Sequence, residues 1–142
     1  MKRVSEIMVR NVITIDGEDN VCAVAKKMDE YNIGSIVVTQ NGKPVGIVTE
    51  RDLIKRCLSK CAEPLKIKAS DIMSKPLICC GPDATIQDAA KLMISNLIRR
   101  LLVCDGNEIH GIITSSDLMN TVAKPGKKEE TLLYLASDYE VF

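Results

Sequence analysis

Aromatic residues are almost missing from this chain: its 142 residues include no tryptophan, one phenylalanine and three tyrosines. A nucleic-acid surface built on aromatic stacking platforms is therefore excluded. Any planar ligand would have to be gripped by aliphatic side chains and backbone amides. Net charge is absent too, nineteen basic residues against nineteen acidic ones, so no global field draws in a polyanion or an anionic membrane surface. Histidine occurs once, as His110, and no Cys/His/carboxylate grouping has metal-ligand spacing, which argues against a metal centre and against standalone catalysis. No apolar run reaches the roughly 18 residues of a membrane span, and Met1-Lys2-Arg3-Val4-Ser5-Glu6 lacks the apolar stretch of a signal peptide. These absences lead us to expect a cytoplasmic protein that is not an enzyme, requires no cofactor, and binds neither nucleic acid nor membrane.

What the chain does contain is an internal repeat. Residues 5–54 return as residues 70–119 at a constant offset of 65 without a gap. Ser5-Glu6-Ile7-Met8 falls on Ser70-Asp71-Ile72-Met73, and Gly46-Ile47-Val48-Thr49-Glu50-Arg51-Asp52 falls on Gly111-Ile112-Ile113-Thr114-Ser115-Ser116-Asp117. A unit this small seldom buries enough surface to stand alone. The two copies are expected to pack on each other, with any ligand cleft between them.

Each copy reads as β-α-β-β-α. Val21, Val24, Ala25 and Met28, and likewise Ile86, Ala89, Ala90 and Met93, follow i, i+3, i+4, i+7 and mark an amphipathic helix, with Asn20 and Thr85 placed to cap it. Ile36–Val38 and Val45–Val48 flank Asn41-Gly42, and Leu101–Val103 and His110–Ile113 flank Gly106-Asn107, as two β-hairpins. Short leading strands are expected over 12–15 and 77–80, and a second helix from Thr49 or Thr114. The boundaries are residues 1–60 for repeat 1 with the start of its linker, 61–124 for repeat 2, and 125–142 for a C-terminal tail, able to form an amphipathic helix carrying Tyr134, Tyr139 and Phe142. The six cysteines read as reduced thiols filling core positions, with Cys22, Cys79, Cys80 and Cys104 in apolar stretches. Cys57 and Cys61, spaced i,i+4, would share one helix face, although a zinc site there is the lesser reading.

The chemistry-bearing element is the doubled Gly-h-h-Thr-x-x-Asp, where h is apolar. Thr-x-x-Asp at a helix start is close to a capping box, in which hydroxyl and carboxylate satisfy unpaired N–H groups. The same geometry offers N–H groups to an anion and a carboxylate to two sugar hydroxyls, which suits a nucleoside phosphate.

With its Ser-x-Ile-Met openings and Asn-Ile-Gly-Ser-Ile-Val-Val at 32–38, the chain resembles a tandem pair of cystathionine β-synthase (CBS) domains, the Bateman module, over about residues 1–120. The resemblance implies an α+β fold of two β-α-β-β-α units about a pseudo-twofold axis, usually as a homodimer. It implies a regulatory sensor whose inter-repeat clefts bind an adenosine-containing ligand such as AMP, ADP, ATP or S-adenosylmethionine. One cleft would take Ile112, Thr114 and Asp117 with Val12, Ile13 and Ile33, and Arg99 and Arg100 would meet the phosphate. The other would take Ile47, Thr49 and Asp52 with Ser74, Leu77 and Ile98, and Arg51 would reach the phosphate. Gly34-Ser35 replaces the two arginines and Ser116 replaces Arg51, so the clefts are expected to differ. The alternative is a structural or protein-interaction module without ligand. An unknown protein effector would read either form.

Overall fold

A computed structural model describes residues 2–122. The expected C-terminal tail lies outside the described residues. The chain forms two compact units, one made of Val12–Ile78 and the other, among the described residues, of 2–11 with 79–122. The packing units therefore do not coincide with the sequence repeats: each takes its opening segment from the other copy.

In the unit Val12–Ile78, strand β1 (Thr14–Asp16) runs parallel to β2 (Ser35–Gln40), which pairs antiparallel with β3 (Lys43–Thr49). Helix α1 (Val21–Glu30) links β1 to β2, α2 (Glu50–Arg56) follows β3, and a short α3 (Ala69–Ile72) closes the unit. The core gathers Ile15, Val24, Met28, Ile36, Val38, Val48, Cys57 and Ile72, as the 3.6-residue period of α1 and the alternation of the strands require.

The second unit repeats this plan with β4 (Cys79–Cys80), α4 (Ile86–Asn96), β5 (Arg100–Asp105), β6 (Glu108–Thr114) and α5 (Ser115–Val122). Its buried residues include Val4, Met8, Cys80, Ala89, Met93, Leu101, Val103 and Ile113. Both expected caps form. The Asn20 side chain accepts from the Ala23 N–H at 2.8 Å, and Thr85 Oγ1 accepts from the Asp88 N–H at 3.1 Å.

The exchanged openings explain the Ser-x-Ile-Met and Gly-h-h-Thr elements together. A Cβ added at Gly46 would sit 2.6 Å from Met73 Sδ, and one at Gly111 would sit 2.7 Å from Met8 Sδ and 2.8 Å from the Val9 carbonyl oxygen. Each methionine lies directly over the glycine of its own unit, and only a residue without Cβ permits that approach. The following residue then bridges to the strand, Ser74 to Ile47 and Val9 to Ile112.

That pairing makes β1 and β4 shorter than the strands expected over 12–15 and 77–80. Until residues 9 and 74 the chain is bonded to β6 or β3, and the parallel ladder begins only at Thr14 and Cys79. The inter-repeat segment is also more ordered than a plain linker. It makes 3-10 turns at Leu58–Lys60 and Pro64–Lys66, and the Val21 and Ala69 N–H groups tie it down by donating to the Ile67 and Asp19 carbonyls at 2.8 and 2.7 Å.

The cysteines need two corrections. Cys57 is fully buried beyond the end of α2 and Cys61 sits exposed in the left-handed region, so the pair shares no helix face. Cys79 is exposed rather than in the core.

Candidate functional site

In both units the strand-to-helix turn is a capping box. Thr49 caps α2: its Oγ1 accepts from the Asp52 N–H at 3.3 Å, while Asp52 Oδ2 accepts from the Thr49 N–H at 2.9 Å. Thr114 and Asp117 do the same at 3.2 and 2.9 Å at the start of α5. The capping reading of Thr-x-x-Asp is thus physically correct for both copies. Whether it exhausts the carboxylate depends on what else surrounds it.

Around Asp52 the surroundings are crowded. Ser74 Oγ donates to Oδ1 at 3.0 Å and lies 3.2 Å from Oδ2, and the Thr49 hydroxyl adds a contact at 3.2 Å. Arg56 Nε stands 3.7 Å from Oδ1, held there because its Nη1 donates to the Met73 and Ile72 carbonyls at 2.8 and 3.2 Å. Asp52 is 6% exposed. A carboxylate has roughly four acceptor positions, and here most are engaged.

The same backbone carries different side chains around Asp117. Val9 stands where Ser74 stands, with mutual N–H···O bonds to Ile112 of 2.9 Å each, and an isopropyl group donates nothing to a carboxylate. Thr121 stands where Arg56 stands, and its hydroxyl donates to the Asp117 carbonyl at 3.0 Å rather than to the carboxylate. Asp117 is partly exposed.

Charge follows the same division. Arg100 lies opposite Thr114 in the β5–β6 ladder, and the Ser115 N–H donates to the Arg99 carbonyl at 2.8 Å. Two cationic residues thus flank the Thr114 turn. At the equivalent place Ser35 lies opposite Thr49 and the Glu50 N–H donates to Gly34, so the nearby cations of that turn are Arg51 and Arg56 against Glu50 and Asp52. A hollow of about 310 Å³ between α1 and α2 carries Asp29 and Glu50 on its wall, the wrong sign for a phosphate.

Of the residues expected in the first cleft, Arg99, Arg100, Ile112, Thr114 and Asp117 belong to one unit, while Val12, Ile13 and Ile33 belong to the other. Ile13 and Ile33 pack against the core of their own unit. Of the second set, Ile47, Thr49, Arg51, Asp52, Ser74 and Leu77 all fall in Val12–Ile78, and Ile98 does not. Ile47, Thr49, Asp52 and Ser74 are brought together by the bridge and hydrogen bonds above. Two residues escaped the sequence reading. Arg56 carried a signal, being i+4 from Asp52 on a helix, and Val9 is simply Ser74 less the repeat offset.

Each unit is thus an α+β fold with a three-stranded sheet and a Thr-x-x-Asp cap on the helix after its hairpin. The chain belongs to the CBS-domain family: the family model matches residues 4–59 and 69–124. An uncharacterized protein of Methanopyrus kandleri is 40% identical over 118 residues, covering 82% of this chain and 60% of that protein. Inosine-5′-monophosphate dehydrogenase of Methanocaldococcus jannaschii is 34% identical over 121 residues, covering 84% of this chain and 23% of that enzyme. The chain therefore spans less than two thirds of these relatives, and only a quarter or so of the dehydrogenase. A hexameric CBS-CP12 protein from bloom-forming cyanobacteria aligns with a TM-score of 0.77 at 28% identity, covering 96% of this chain and 80% of that one. Among the described residues no helix is long and apolar enough to cross a membrane, and no three His, Cys, Asp or Glu side chains are grouped to hold a metal ion.

Proposed function

We propose that this chain is a non-catalytic regulatory module that binds an adenosine-containing ligand, AMP, ADP or ATP, and that the ligand uses the Thr114–Asp117 turn. Asp117 accepts from the two ribose hydroxyls, Arg99 and Arg100 meet the phosphate, and aliphatic side chains such as Ile112 hold the base. The observation that carries this reading is the pair of arginines set by backbone pairing beside a Thr/Asp turn whose carboxylate is partly exposed. Binding shifts the module between two arrangements that an effector protein, or a second copy of the chain in a homodimer, reads.

The second reading, a structural or protein-interaction module, is favoured for the other turn by a specific observation: the engagement of Asp52 by Ser74, Thr49 and Arg56. On this view Asp52 serves the fold and Asp117 serves the ligand. Isothermal titration of the purified chain with AMP, ADP, ATP and S-adenosylmethionine tests the proposal. Heat is expected with at least one nucleotide, and Arg99→Ala or Arg100→Ala should weaken it about tenfold or more, the worth of a hydrogen bond to a charged group. No heat and no thermal shift with any of the four would leave only the interaction module.

A further inference from the structure

We propose that Cys79 and Cys104 form a dithiol that closes reversibly into an intramolecular disulfide when the chain meets a peroxide. The two residues lie on neighbouring strands, β4 and β5. Cys79 is in register with Leu102, and because side chains alternate along a strand, the face that carries Leu102 also carries Cys104. Their sulfurs are 3.7 Å apart, the contact distance of two thiols; because diagonal neighbours on a sheet stand ~7–8 Å apart, closing to the ~2.05 Å disulfide bond also draws β4 toward β5.

Nothing in the core requires cysteine here. At the offset of 65 the equivalent residues of the other unit are Thr14 and Thr39, so the fold accepts threonine at both positions and carries the two thiols only in this copy. The pair also divides the labour of oxidation. Cys79 is exposed, while Cys104 is partly buried. A peroxide arriving from solvent therefore meets Cys79 first. Cys80 points to the opposite, buried face, and Cys57 is enclosed with its sulfur 3.7 Å from the Ala62 carbonyl oxygen.

The reaction balances in two steps. The Cys79 thiol gives its proton to solvent and its sulfur attacks one peroxide oxygen; the O–O bond breaks, and the hydroxide that leaves takes a proton back from solvent, so that a sulfenic acid and one water result. The Cys104 sulfur then attacks the sulfenic sulfur, the S–O bond breaks, and hydroxide leaves with the Cys104 proton as a second water. Two sulfurs are oxidised by one peroxide, which is reduced to two waters. The product ties β4, an edge strand of two residues, covalently to β5.

The test treats the reduced, full-length chain with hydrogen peroxide and follows intact mass and free thiols. A loss of about 2 Da and of two of the six thiols, reversed by dithiothreitol, is expected, with the link mapped to residues 79 and 104. Cys79→Ser should abolish the loss. Cys104→Ser should halt Cys79 at a sulfenic acid, about 16 Da heavier and trapped by dimedone. Mapping on a Cys80→Ser background distinguishes Cys79 from its neighbour. Direct conversion of wild-type Cys79 to sulfinic acid, a link through another cysteine, a link between chains, or a 2 Da loss that survives Cys79→Ser would each overturn the proposal.

Discussion

Ser74→Ala isolates the contact that most clearly separates the two turns. Ser74 Oγ bonds Asp52 Oδ1 at 3.0 Å, whereas Arg56 Nε stands 3.7 Å from the same oxygen, beyond a good hydrogen bond. Leaving a buried acceptor short of a partner costs about 1–3 kcal/mol. Asp52 is 6% exposed, so water does little to compensate, and a loss of about 2 kcal/mol is expected. With a urea slope of about 2 kcal/mol per molar, the unfolding midpoint should fall by about 1 M. The assay is equilibrium urea unfolding of wild type, Ser74→Ala, Asp52→Ala and the double variant. If Ser74 acts through Asp52, its removal in the Asp52→Ala background should cost less than about 0.5 kcal/mol. An unchanged midpoint for Ser74→Ala, or an equal cost in both backgrounds, would refute the reasoning.

Leu97 ends α4 in the left-handed region at φ 53°, where the other unit has Asn32 at φ 52°. Because Leu97 is 69% exposed, Leu97→Asn should relieve strain without losing core and raise stability by about 1 kcal/mol in a urea titration. Gly111→Ala should destabilise by about 1–3 kcal/mol and by more than Gly46→Ala, because its Cβ meets the Val9 carbonyl at 2.8 Å whereas the carbonyl at Gly46, that of Ser74, is at 3.0 Å; calorimetry orders the two. The N–H of Thr85, and then its hydroxyl, hold the Asp88 carboxyl below its ordinary 3.8. A depressed folded-state value gives stability that is present above the unfolded value and lost as pH falls through the folded one, so wild type and Asp88→Asn should converge in stability only as the medium is taken below about pH 4. Lys68 is raised above 10.5 by its hydrogen bond to Glu18. That contribution is present below 10.5 and lost as pH rises through the folded value, and Glu18→Gln should bring the Lys68 titration, followed by NMR, back down.

Much of this fold is legible in the repeat. The helical periods of Val21–Met28 and Ile86–Met93, the two-residue turns and the caps at Asn20 and Thr85 are local, and local chemistry decides them. The exchange of opening segments is not local. Nothing near Met8 says that it will cover Gly111 rather than Gly46, since both glycines present the same surface and only long-range pairing chooses. The site divides along the same line. Thr49/Asp52 and Thr114/Asp117 can be read at once from the motif. What distinguishes them, Ser74 against Val9 and Arg56 against Thr121, depends on which distant residue packs on which turn. Cys79 and Cys104, 25 positions apart, become partners only through the β4–β5 register.

On the proposed function Asp117 is the ligand's carboxylate and Asp52 the fold's. Calorimetric titration of Asp117→Ala and Asp52→Ala with whichever adenine nucleotide binds wild type tests it most directly, each variant first shown to be folded by circular dichroism. Asp117→Ala should lose binding while Asp52→Ala binds with an affinity within about threefold of wild type. Loss of binding in Asp52→Ala with full affinity in Asp117→Ala would contradict it.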